Sequence, residues 1–273
     1  MIINILRKNP KVKAIIKLIY GFTGDLIYKL FFSVKNNSFL TEKLFTDKNA
    51  FFGYYDKSPV NDSKSHIIAH TTNQNTNVDY ESVNSVNITL KDINSGIEET
   101  IDNTKAFNWQ IGSRLQWINN KNFIYNTIVR GKIFSRIYNI ENKKFKNLPL
   151  PIFDCYRDLF GIGLSFMQLY LNHKEYGYNL KNFSEGGFIK DCIYRIDFND
   201  KKIKIIVTID QVNNLLNKNI KDGSFNHVMI SPNGDKFIFI YRYFDKNQLR
   251  KDYLFLYDFK IKKLSCLLDT GYV

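Results

Sequence analysis

The chain has 273 residues, 44% of them hydrophobic and 15% aromatic, with a formal net charge of +13. That length and apolar content support a large buried core within one principal domain, and exclude a small disulfide-stapled scaffold. Its three cysteines, Cys155, Cys192 and Cys266, fall in no metal-ligand or paired spacing, and the odd count points to a reducing, cytoplasmic compartment.

From the N-terminus, residues 1–32 differ from all that follows. Val12, Ile15, Ile16, Ile19, Phe22, Leu26, Ile27 and Leu30 recur at helical spacing, with Arg7, Lys8, Lys11, Lys13, Lys17 and Lys29 between them. Gly21 and Gly24 divide this pattern into two short helices. Lysines interrupt the apolar stretches well short of the ~20 residues that span a bilayer, and no signal-peptide cleavage pattern follows. Such a segment either lies on an anionic membrane surface, peripheral to the inner membrane, or packs against the domain after it. Residues 1–45 read as this amphipathic basic helical segment with its connector, and residues 46–273 as the folded domain.

One pattern then recurs: an apolar-polar alternation, a polar turn and a further strand. VNITL at 86–90 leads to Asn94-Ser95-Gly96, RIYNI at 136–140 to Asn142-Lys143-Lys144, IYRIDF at 193–198 to Asp200-Lys201-Lys202, and FLYDF at 255–259 to Ile261-Lys262-Lys263. A less regular hairpin precedes each: SPVND before HIIAH, WINN before FIY, YRD before LFGIGL, and NHVMISPNG before FIFIY. In the last, Asn233-Gly234 is a strong hairpin signal, because the positive φ angles of a tight turn are cheapest there. Four strands per unit at a spacing of ~40–50 residues is the mark of a β-propeller. The expected fold is therefore all-β, an incomplete propeller ring of about four to five four-stranded blades behind the amphipathic segment.

A net charge of +13 invites nucleic acid as a partner. Much of it, however, sits in turns such as Lys143-Lys144, Lys201-Lys202 and Lys262-Lys263, spread round an outer rim rather than along one groove, so no nucleic-acid partner is expected.

In a propeller, the segments leading into each blade's first strand converge on the central axis. Here they are Tyr54-Tyr55-Asp56, Asn108-Trp109-Gln110 with Arg114, the stretch from Asp154 to Arg157, and Asn226-His227. They offer carboxylates, two arginines, amides, a histidine and aromatic faces. Rings can stack on sugars, amides can bond hydroxyls, and arginine can hold a carboxylate or phosphate through two parallel bonds. The set suits a glycan, with His227 as a base and Arg114 or Arg157 neutralising an acidic sugar. Each has a plainer reading: Asp56 capping a turn beside Ser58-Pro59, His227 as a structural hydrogen-bonder, Trp109 and Trp117 as core. His66, His70 and His173 give no metal spacing, so a divalent metal stays unsupported and the cofactor unknown. Phe160-Gly161-Ile162-Gly163-Leu164 lacks a phosphate-loop pattern and reads as a strand with close backbone packing.

FFGYYDKSP, NWQIGSRLQW followed by IYN, NHVMISPNGDKFIFI and the final DTGYV resemble the uncharacterised β-propeller proteins of bacterial surface-polysaccharide gene clusters, over residues 51–273. Those are distantly similar to oligogalacturonate lyases, which are seven-bladed propellers. The resemblance implies a glycan intermediate as partner. The lyases hold a divalent ion through a histidine cluster and a glutamine, and here only His227 matches that pattern. Family members continue past DTGYV, so this chain reads as a C-terminally truncated or split member, whose open ring edge a partner or further blades would cover. Three functions follow: a carbohydrate-binding or carbohydrate-processing subunit of surface-polysaccharide biosynthesis, a lyase-like enzyme acting on acidic sugars, or a non-functional fragment of a longer gene.

Overall fold

A computed structural model describes residues 49–179, 181 and 192–269. The helical reading of residues 1–32 and all of DTGYV beyond its aspartate lie outside them. Among these residues, sixteen strands form four sheets, each a meander of four consecutive antiparallel strands. Blade 1 holds β1 (Asn49–Phe51), β2 (His66–Thr72), β3 (Val86–Asp92) and β4 (Glu98–Thr104). Blade 2 holds β5 (Gln116–Trp117), β6 (Asn122–Val129), β7 (Lys132–Asn139) and β8 (Lys144–Asn147). In blade 3 are β9 (Asp154–Tyr156), β10 (Phe160–Gly163), β11 (Cys192–Asp197) and β12 (Ile203–Thr208). Blade 4 contains β13 (Ser224–Ile230), β14 (Lys236–Phe244), β15 (Arg250–Asp258) and β16 (Lys263–Asp269). The fold is the all-β propeller architecture expected from the repeats.

The lysine pairs have a backbone reason. In the outer hairpin of each blade one residue takes a left-handed conformation: Gly96 (φ 72), Lys143 (φ 57), Lys201 (φ 59) and Lys262 (φ 52). Lysine stands where blade 1 has glycine, and it remains exposed at the turn.

Consecutive blades pack against each other in chain order. Ile68, Ile88 and Leu90 of blade 1 share a core cluster with Phe123, Tyr125 and Tyr138 of blade 2. Ile118, Ile124 and Ile137 of blade 2 meet Tyr194, Ile196 and Phe198 of blade 3. Phe160 and Ile162 of blade 3 join Phe237, Phe239 and Phe255 of blade 4. Each such side chain contributes about 1.5–3 kcal/mol when fully buried, so these interfaces hold the array together. Polar contacts repeat at the first-hairpin turns: Asn61 Nδ2 donates to the Asn120 carbonyl at 3.2 Å, and Asn119 Nδ2 to Asp158 at 3.0 Å. The far face of blade 4, with Met229, Ile238, Ile240 and Leu254, belongs to no core cluster among the described residues.

Among the described residues, two α-helices interrupt the repeats. Helix α1 (Phe166–Asn172) lies between β10 and β11, with Ser165 as N-cap accepting from the Gln168 N–H at 3.1 Å. Helix α2 (Ile209–Leu216) lies between β12 and β13, opened by a capping box of Thr208 and Gln211. No helix of the described residues is long and apolar enough to cross a membrane.

FGIG on β10 is a strand pressed close to its neighbours, as its glycines suggested. A Cβ on Gly163 would lie 2.3 Å from the Pro151 carbonyl oxygen and from the Tyr194 ring. Neither can yield, one being backbone and the other a buried side chain that itself bonds Pro151 at 2.8 Å. Gly163→Ala is expected to destabilise the domain by roughly 1–3 kcal/mol. Thermal unfolding checks it: an unchanged midpoint would refute the close packing of this strand.

Candidate functional site

Blade 1 departs from the other blades at its innermost strand. β1 pairs with β2 as far as Phe51 opposite His70, and pairing resumes only at Val60 opposite Ile67. Residues 52–59 therefore oppose only Ile68 and Ala69, and they bulge out of the sheet. Gly53, at φ 128, lets this loop press on its neighbour, since a Cβ there would lie 2.9 Å from the Ile111 carbonyl. The loop reaches all three other blades. Asp56 meets Arg114, in the lead-in to blade 2; Lys57 Nζ bonds Asp154 of blade 3 at 2.5 Å; and the Tyr54 ring stacks on His227 of blade 4 at 5.5 Å between centroids. The lead-in segments thus meet at a shared axis.

Smaller bulges aim two of the site residues inward. The Asn126 N–H donates to the Ser113 carbonyl at 2.8 Å, and pairing continues at Gln116 opposite Ile124, so the first strand of blade 2 carries an extra residue there. In blade 4 the same slip falls between Asn226, opposite Ile240, and Met229, opposite Ile238. Arg114 (φ 55) and His227 (φ 50) occupy the left-handed positions of these two bulges. Such a conformation costs a residue with a Cβ about 1–2 kcal/mol, so surrounding contacts must hold each in place.

For Arg114 those contacts are plain. Its Nη2 and Nη1 donate to the two Asp56 oxygens at 2.8 and 3.3 Å, and its Nε to the Phe153 carbonyl at 2.7 Å. The guanidinium also lies 4.2 Å over the Phe153 ring, and both charged side chains are buried. Asp154 accepts from Lys57, from the Cys155 N–H and from the Ile230 N–H, tying β9 to β13.

His227 stands between Tyr54 and Tyr176, the latter edge-on at 4.9 Å. Burial first, then the Arg242 and Arg114 charges, push its pKa down to about 4, so the imidazole is neutral near pH 7. Burial and the neighbouring Tyr55 hydroxyl hold the Tyr54 phenol above its usual range. The Asn226 side-chain oxygen accepts from the His227 N–H at 2.8 Å. Tyr54, Tyr55, Asp56, Phe153 and His227 wall a cavity of about 260 Å³ whose floor is Ile238, Ile240 and Leu254.

Asn108, Trp109 and Gln110 fall elsewhere. They line a neighbouring cleft of about 420 Å³ with Asp79, Tyr80, Lys174 and Glu175. Asn108 is buried and committed to the backbone, accepting from the Gln110 and Ile111 N–H groups and donating to the Gly177 carbonyl at 2.8 Å. Trp109 is half-buried against Phe51 and Phe107, with its indole N–H on the Val78 carbonyl at 2.7 Å. Gln110 is exposed. Arg157 is exposed in the β9–β10 turn, past the far end of β9 from Asp154, with its guanidinium 5.4 Å from the centroid of the Tyr156 ring. The structure therefore gathers Tyr54, Tyr55, Asp56, Arg114, Asn226 and His227, sets Asn108, Trp109 and Gln110 beside them, and leaves Arg157 apart. Among the described residues, no group of three or more His, Cys, Asp or Glu side chains could hold a metal ion.

No protein-family model and no curated sequence matches the chain. Among solved structures, it is similar to TolB from Acinetobacter baumannii at 14% identity and a TM-score of 0.44, covering 82% of this chain and 44% of that one. It is likewise similar to the β-propeller domain of the Trilobed protease from Pyrococcus furiosus at 16% identity and a TM-score of 0.45, covering 82% and 57%. Oligogalacturonate lyase from Vibrio parahaemolyticus is similar at 11% identity and a TM-score of 0.40, over 84% of this chain and 81% of that one. The chain spans about half the length of the first two. Identities this low concern the fold alone.

Proposed function

We propose that the chain is a carbohydrate-binding propeller serving bacterial surface-polysaccharide biosynthesis, and that its axial cavity holds a sugar without turning it over. The observation that carries this reading is the wall of Tyr54, Tyr55 and His227 above the floor of Ile238, Ile240 and Leu254. Tyr55 is 82% exposed, an aromatic face available for stacking on a sugar ring. The neutral imidazole of His227 is engaged by no hydrogen bond among the described residues and can both accept from and donate to hydroxyls. The link to surface polysaccharides rests on the motif resemblance of FFGYYDKSP, NWQIGSRLQW and NHVMISPNGDKFIFI.

Two features favour binding over lyase chemistry. Arg114 is held by Asp56 and the Phe153 carbonyl, so it is not available to neutralise a uronate. A base with a pKa of about 4 has little driving force to abstract a proton near neutral pH. The test is calorimetric titration with bacterial surface glycans. Tyr55→Ala should weaken binding by about two- to tenfold, in line with an aromatic contact of about 0.5–1.5 kcal/mol, at an unchanged melting temperature. Unchanged affinity in Tyr55→Ala, or turnover of a uronate glycan by the wild type, would remove this reading.

A further inference from the structure

The 3₁₀ turn Lys174–Tyr176, in the segment between β10 and β11, links the Trp109 cleft to His227, which lines the axial cavity. One side of the turn offers Lys174 and Glu175 to the Trp109 cleft, while Tyr176 packs edge-on against His227 at 4.9 Å. Both ends of the turn are fixed. Tyr80 donates its hydroxyl to the Lys174 carbonyl at 3.1 Å, and Asn108 donates to the Gly177 carbonyl at 2.8 Å.

We propose that the two cavities are subsites of one groove, and that the ligand is an oligosaccharide whose chain passes over the Lys174–Tyr176 turn. This rests on the carbohydrate-binding reading and deepens it. Each cavity has aromatic lining, with Tyr55 the exposed ring of the first and Trp109 beside Tyr80 in the second, and Gln110 is exposed at the second to bond hydroxyls. Charge sets the class of sugar. Lys174 is already paired with Glu81 and with Asp79, the latter at 3.2 Å. Glu175 faces the same cleft with no ion-pair partner among the described residues. A uronate placed beside Trp109 would meet like charge, so the unit bound there carries no carboxylate.

Titrating the full chain with surface glycans of one, two and four units, both neutral and uronate-containing, tests this. Among neutral series, the four-unit glycan should bind at least tenfold more tightly than its single unit. Gln110→Ala should reduce that gain while leaving single-unit affinity unchanged, and the exposed Glu175→Lys should extend the gain to uronate chains. Tyr55→Ala should weaken both lengths. No gain with length, a gain untouched by either cleft variant, or an equal gain for uronates in the wild type would overturn the two-subsite groove while leaving single-sugar binding intact. Binding of no glycan at any length would remove both.

Discussion

Arg114→Ala is expected to lower stability by about 3–5 kcal/mol, the penalty for breaking a buried ion pair and leaving the carboxylate only the Lys57 ammonium 3.9 Å away. That carboxylate is Asp56, 5% exposed, against an arginine side chain 2% exposed. The loss falls on a junction rather than on one contact, since the same guanidinium bonds the Phe153 carbonyl and covers its ring. Releasing Asp56 should also release residues 52–59, the loop through which blade 1 reaches blades 2, 3 and 4. Arg114→Lys keeps a charge but loses the planar fork and should recover only part of the loss. Arg114→Met combined with Asp56→Leu should recover most of it, because apolar residues of similar volume can replace a buried pair. Urea unfolding gives the free energies, and amide exchange reports on the loop. A loss under about 1 kcal/mol for Arg114→Ala, with residues 52–59 still protected, would show that the pair does not anchor the axis.

The repeats were legible because each blade carries one hairpin whose alternation and turn chemistry are both local. VNITL falls within a third strand, RIYNI, IYRIDF and FLYDF each overrun theirs by one residue, and their turns place glycine or lysine at the left-handed position. The axial meeting point was legible too, through propeller geometry: Asp56, Arg114, Asn226 and His227 do come together. What the spacing could not convey was how those residues spend their bonding capacity. Arg114 looked like a free cation for an acidic ligand, and instead its donors face Asp56 and a main-chain carbonyl. Asn108 looked like a ligand amide, and instead it closes its own loop. Tyr176 carried no signal, because it lies in the long segment between β10 and β11, outside the repeated hairpins. Arg157 was misplaced by one strand length, since YRD holds both the end of β9 and the turn after it.

Stability is expected to fall steeply as pH drops from about 6.5 toward 4. Burial pushes the pKa values of His70, His173 and His227 each down to about 4, below the usual histidine value. In this interval the unfolded chain binds protons that the folded chain refuses, so the stability present above pH 6.5 is lost as the pH falls through the folded values. His70 sets the scale, being fully buried, with its Nε2 accepting from the Ser113 N–H at 3.0 Å. A shift of this size corresponds to about 2 kcal/mol lost at pH 5 and about 3 near pH 4 for that ring alone. His227 is more accessible and contributes less, but it couples the effect to the cavity. Near pH 7 its neutral ring can accept from a sugar hydroxyl; below about pH 4 the protonated ring can only donate. Melting temperatures at pH 7, 6 and 5 measure the first effect, and glycan affinity followed from pH 7 down through pH 4 measures the second. His227→Gln should leave the melting curve less dependent on pH and glycan affinity independent of it. A wild-type melting temperature flat between pH 7 and 5 would mean that these rings are not held neutral by burial, and the case for His227 as a neutral acceptor would fall with it.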